Sequence, residues 1–180
     1  MVENVSSLLT PWSSFYILTG SSAGALTGLM FVVITLVMGE ERLRLRPEGI
    51  GTFSTPTVVH FCAALLVSAA LSAPWRSFAQ LSVLLGLAGM VGVVYILHLT
   101  WHMRTLPNYR PDVEDWSWYS GLLAYAAIVA GAIILRFLSL DAMFTIAGGV
   151  MLLIFIGIHN AWDIVTFIAT GAVDDLPKPE

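Results

Sequence analysis

The chain has 180 residues, of which 57% are hydrophobic and 11% charged, and its formal net charge is −4. A soluble domain carries about a quarter charged residues, whereas here the mean hydropathy is +0.83. Apolar residues arrive in blocks of roughly 18 to 28, which so short a chain cannot bury and still keep a polar surface, so a soluble enzyme, a disordered protein and a nucleic-acid module are excluded.

The sequence therefore reads as all-α: a polytopic bundle of five transmembrane helices lying in a lipid bilayer, one membrane domain over residues 1–180. Residues 1–11 hold no lysine or arginine, the wrong pattern for a cleaved signal peptide, so the first helix is expected to stay in the mature protein. The first span is expected at residues 12–39, opened by Thr10-Pro11, a capping residue followed by proline at the first helical position. Gly20, Gly24 and Gly28 recur every four positions along it, the small-residue spacing that lets helices approach closely within a bundle or between subunits. The second span, residues 56–75, is opened in the same way by Thr55-Pro56 and ended by Pro74; Ala64, Ser68 and Ser72 form its small face.

The third span covers residues 78–102, with Gly86, Gly89 and Gly92 along it and a break between Pro107 and Pro111 after it. The fourth covers residues 116–138 with Asp115 as N-cap, and the fifth covers residues 142–170, long enough to tilt. These runs are continuous and not alternating, which excludes a β-barrel. A single cysteine, Cys62, excludes an intrachain disulfide.

Of the eight basic residues, Arg42, Arg44, Arg46, Arg104, Arg110 and Lys178 fall on one side and only Arg76 and Arg136 on the other. The positive-inside rule then places the N-terminus outside and the C-terminus in the cytoplasm, consistent with the plasma membrane. Residues 42–53 read as an inner-surface segment near anionic lipid, and residues 174–180 as a solvated tail. A four-span arrangement with one re-entrant segment would put the C-terminus outside. The six tryptophans read mainly as interfacial anchors, with Trp101 and Trp162, beside polar residues, the exceptions.

The four histidines carry the chemistry. In this topology His60, His98, His102 and His159 all fall in the cytoplasmic third of the bundle, on three different helices. Asp163 follows His159 by one helical turn and shares its face. Glu40, Glu41, Glu114, Asp115, Tyr119 and Asn160 supply further polar groups at similar depth. Ionisable groups inside a membrane are costly unless paired, hydrated or metal-bound, which makes them functional candidates. Imidazoles with carboxylates suit zinc or iron, although no His-Glu-x-x-His and no cysteine pair is present.

The leading expectation is a homo-oligomeric channel or transporter for a cation or proton, with these groups as an ion- or metal-binding cluster. A membrane-embedded metal-dependent hydrolase acting on a lipid-like substrate is the alternative, with Asp163 or Glu114 handling the proton. Haem held by two histidines fits poorly, since all candidates lie at one end. A structural or regulatory protein, its histidines serving as interhelical hydrogen-bond partners, stands beside these. Whether the chain is an enzyme stays open at this point.

Overall fold

The computed structural model describes residues 5–39, 47–104, 116–137 and 139–171. Every regular element among them is a helix. Helix α1 (Val5–Leu9) passes through a single 3-10 turn (Thr10–Trp12) into α2 (Ser13–Gly39). Then come α3 (Pro47–Ser72), α4 (Phe78–Arg104), α5 (Trp116–Ile134) and α6 (Ser139–Gly171).

Four stretches of the described residues are long and apolar enough to cross a membrane: Val5–Thr35, Thr55–Ser72, Phe78–His102 and Leu140–Thr166. The protein is a multi-pass integral membrane protein. Tyr119–Ile134 is a shorter apolar helix. The first stretch, 31 residues, is some 46 Å long at about 1.5 Å per residue, more than the ~30 Å hydrocarbon core needs.

Two helix starts differ from the sequence expectation. Thr10-Pro11 does not open the first helix, because Val5, Leu8 and Leu9 bury themselves against the bundle and carry the helix further back. The Thr10 hydroxyl donates backwards to the Ser6 carbonyl at 2.7 Å and does not cap a helix N-terminus. Pro11 falls in the 3-10 turn, so it marks a local tightening. Thr55-Pro56 likewise lies inside α3, which starts at Pro47. A proline at the first helical position gives up no hydrogen bond, and that role passes from Pro56 to Pro47. Inside the helix, Pro56 forfeits one backbone bond, a loss that membrane helices tolerate where neighbours re-satisfy the freed carbonyl.

The other end of α3 stops near its expected limit. Ser72 is its last residue, and Ala73 N–H turns back to the Ala70 carbonyl at 3.2 Å. The Trp75 indole N–H donates to the same carbonyl. Helix α4 begins beyond Ser77, whose hydroxyl oxygen accepts from Ala79 N–H at 3.2 Å.

The helices do not pack in chain order. Helix α2 lies on α3, α3 on α6, α6 on α5, and α5 on α4. In consequence the membrane-crossing windows of α3 and α6 are 50% and 56% buried, against 22% for those of α2 and α4. The last two turn broad apolar faces outward, including Ile17, Leu18 and Phe31 on α2 and Leu87, Val91 and Val94 on α4.

Small residues set the closest approaches. The Tyr125 ring lies over Gly92 and the Phe61 ring over Gly157, each occupying the space that a Cβ would need. Of the glycine stripe on α2, Gly20 and Gly24 face Ser68 and Leu65 of α3, while Gly28 has nothing within 4 Å. Thr19 and Ser68 tie the same pair of helices through a hydroxyl–hydroxyl hydrogen bond of 3.0 Å.

Candidate functional site: a buried histidine and its tyrosine

Along α3 the buried positions include Thr57, His60, Phe61, Ala64, Val67, Ser68 and Leu71, the three-and-four spacing of one helix face. His60 is therefore delivered to the interior by the same periodicity that buries its apolar neighbours. It is 2% exposed. Its Nδ1 lies 3.0 Å from the hydroxyl oxygen of Tyr125 on α5, which is 1% exposed. The two rings are 5.6 Å apart and inclined at 42°.

Glycines make the socket. Gly121 lies one turn before Tyr125, and a Cβ there would come within 3.5 Å of His60 Cε1 and 3.4 Å of Ile96 on α4. Both are ordinary van der Waals distances, so Gly121 lies directly alongside the imidazole edge. On the far side Tyr125 rests on Gly92 of α4, and the residue after His60, Phe61, rests on Gly157 of α6. Helices α3, α4, α5 and α6 thus all meet within a turn or so of His60.

The pair has two neutral arrangements. Either the phenol donates to Nδ1 and the ring carries its proton on Nε2, or Nδ1–H donates to the phenol oxygen. Each joins the two groups by one hydrogen bond. Passing from the first to the second requires a proton to leave Nε2 as one arrives at Nδ1, since transfer along the bond alone would leave an imidazolium and a phenolate.

The remaining histidines divide between two other surfaces. His159 and Asp163 come together on α6, with Nδ1 and Oδ2 at an ion-pair distance of 3.0 Å and side chains 41% and 53% exposed. His98 and His102 lie on an exposed face of α4, with the His98 ring 6.4 Å from that of Trp101. Asn160 is half-buried and Tyr119 exposed. Glu40, Glu41, Glu114 and Asp115, with the 42–46 part of the arginine-rich segment and the 174–180 tail, lie outside the described residues.

Histidines 60, 98 and 159 do share one transverse layer of the bundle. His98 follows Ile96, a neighbour of the His60 socket, by two residues, and His159 follows Gly157 by two. They diverge by face: inward for His60, outward for His98, half-exposed for His159. Among the described residues no three His, Cys, Asp or Glu side chains are grouped so as to hold a metal ion. Sequence reasoning missed Tyr125. Its signal was a polar aromatic in mid-span, one turn after Gly121, in a stretch over residues 120–134 otherwise made of small and aliphatic residues.

Fold and site together define a polytopic helical membrane protein with an imidazole–phenol pair sealed among its spans. The chain matches no family model, no curated protein and no solved structure.

Proposed function

We propose that the protein is a small proton-handling transporter or channel subunit. It crosses the membrane five times with its N-terminus outside, and it works as a homo-oligomer in the plasma membrane. The observation that carries this reading is His60: an ionisable side chain buried within a membrane-spanning bundle and hydrogen-bonded to Tyr125, a second group able to accept and donate a proton. Intramembrane ionisable residues are rare and mark proton or ion pathways. In the proposed topology His159 and Asp163 lie at the cytoplasmic end of the pathway, where their exposure supports exchange with water. Five helices are few for a complete pathway, and the broad outward faces of α2 and α4 supply surface for subunit contact.

The cation site expected from the sequence has a narrower basis. His159 and Asp163 offer one nitrogen and one oxygen donor, whereas zinc takes about four ligands. Further donors would have to come from another subunit or from residues such as Glu40, Glu114 and Asp115.

A structural reading is favoured by a different observation, the glycine socket. Tyr125 on Gly92 and Phe61 on Gly157 hold the rings as a packed joint, in which the His60–Tyr125 bond would serve as a tie between helices. Proton flux into liposomes containing the purified protein, read with an entrapped pH dye under a potassium diffusion potential, separates the two. Conduction expects flux in the native protein, with most of it lost in His60→Gln and Tyr125→Phe and retained in His98→Ala. No flux above that of empty liposomes, from protein that remains folded, would leave the tie.

A further inference from the structure

A cleft of about 630 Å³ opens at the end of the bundle opposite His60. Its walls are α1, the first turns of α2, the last turn of α3 and the turn that follows α3. Leu9, Ile17 and Leu71 give it apolar surface, while Ser6, Thr10, Ser13 and Ser72 contribute hydroxyls. Trp75 and Arg76 complete it, and among the described residues Arg76 is the one charged side chain in the lining.

The hydrogen-bond directions tell which ligand fits. Thr10 donates its proton to the Ser6 carbonyl at 2.7 Å, Ser13 to the Thr10 carbonyl at 2.9 Å, and Ser72 to the Ser68 carbonyl at 2.9 Å. With their protons committed to the backbone, all three present oxygen lone pairs to a ligand. The Trp75 N–H is likewise held by the Ala70 carbonyl. Arg76 is exposed and forms no ion pair among the described residues, so its guanidinium is the cleft's charged donor. A bare anion matches Arg76 but meets the acceptor oxygens of Thr10, Ser13 and Ser72. The complementary ligand carries an anionic group together with its own O–H or N–H donors.

Position adds a second constraint. The cleft lies where the Thr55–Ser72 span ends, with a tryptophan at that boundary as is usual at the headgroup level. Ile17, 60% exposed, continues the apolar surface down the side of α2 toward the hydrocarbon.

We infer that this cleft seats one phospholipid, its phosphate on Arg76 and its hydroxyl- or ammonium-bearing headgroup on the oxygens of Thr10, Ser13 and Ser72. Phosphatidylglycerol and phosphatidylethanolamine share this chemistry. Phosphatidylcholine has the phosphate but no O–H or N–H donor in its headgroup.

Native mass spectrometry of the full-length protein in detergent tests the assignment, with dioleoyl phosphatidylglycerol, phosphatidylethanolamine and phosphatidylcholine added separately, and with glycerol 3-phosphate and inorganic phosphate as soluble probes. The expected result is one retained lipid per chain, with either donor-bearing lipid about tenfold or more above phosphatidylcholine, a ratio matching charge-assisted and neutral hydrogen bonds together. Arg76→Gln should lower retention about tenfold, the loss of one charge-assisted contact, while Arg136→Gln should leave it unchanged. Ser13→Ala, at an exposed position, should narrow the preference over phosphatidylcholine without abolishing binding. Equal retention of all three lipids, or equal losses in Arg76→Gln and Arg136→Gln, would overturn the seat in favour of a general lipid annulus. Binding of glycerol 3-phosphate or inorganic phosphate as tight as that of the lipids would overturn the lipid as its occupant.

Discussion

The His60 imidazole and the Tyr125 hydroxyl meet at 3.0 Å across α3 and α5, and both side chains are sealed from the surface. An interhelical hydrogen bond in a membrane protein contributes about 0.6 kcal/mol on average, while a buried polar group stripped of its partner costs about 1–3 kcal/mol. Tyr125→Phe should therefore destabilise the detergent-solubilised protein by about 1–3 kcal/mol. Most of that penalty arises from the abandoned imidazole, so His60→Leu combined with Tyr125→Phe should cost less than the sum of the single changes. Thermal or denaturant unfolding of the four proteins of this cycle measures the coupling, and strict additivity would mean that the two groups do not depend on each other.

The glycines beneath the rings lead to a second prediction. Gly92→Ala and Gly157→Ala each drive a methyl group into an aromatic ring, Tyr125 and Phe61 respectively. Overpacking of this kind costs about 1–3 kcal/mol. Gly28 has open space around its Cα, so Gly28→Ala should be neutral or stabilising by up to about 1 kcal/mol through helix propensity. Parallel unfolding of the three variants checks the ranking; an equal loss in Gly28→Ala would instead identify the outer face of α2 as a contact between subunits.

How much of this was legible beforehand follows from what sequence encodes. Span length and polarity place residues along the helix axes, and His60, His98 and His159 share one layer of the bundle. Face was not legible. The apolar runs are hydrophobic all round, so the pattern that sorts inward from lipid-facing positions in a soluble helix is too weak to separate His60 from His98. Helix order in space was hidden for the same reason, and with it the meeting of α3 with α5 that gives His60 its partner. Proline proved ambiguous, since Thr10-Pro11 and Thr55-Pro56 look like helix starts yet lie within helical stretches extended by Val5–Leu9 and Pro47.

The His159–Asp163 pair should behave unlike the buried one. Both side chains are about half exposed, and an i,i+4 pair in such a setting is worth less than about 1 kcal/mol. Asp163→Asn should therefore leave unfolding nearly unchanged while slowing proton flux, if the pair serves proton exchange as proposed. A large loss of stability would reassign Asp163 to the packing of α6, and unchanged flux would remove the pair from the pathway.

Whether α5 crosses the membrane decides the proposed topology. This helix is 19 residues long, or about 28 Å, close to the ~30 Å hydrocarbon thickness. Its contacts run from Gly121 beside His60 to Gly131 beside Ile146 and Ala142, near the start of α6. It therefore runs alongside its membrane-length neighbours α4 and α6, which supports the proposed fifth crossing. Five crossings, as proposed, would put the two chain ends on opposite sides. In a Cys62→Ser background, Ser7→Cys should react with a membrane-impermeant maleimide from outside the cell, whereas Lys178→Cys should react only after the membrane is permeabilised. Reaction of both from outside would demote one helix from spanning to re-entrant and leave the His60 end cytoplasmic, whereas reaction of both only after permeabilisation would also reverse the direction assigned to that end.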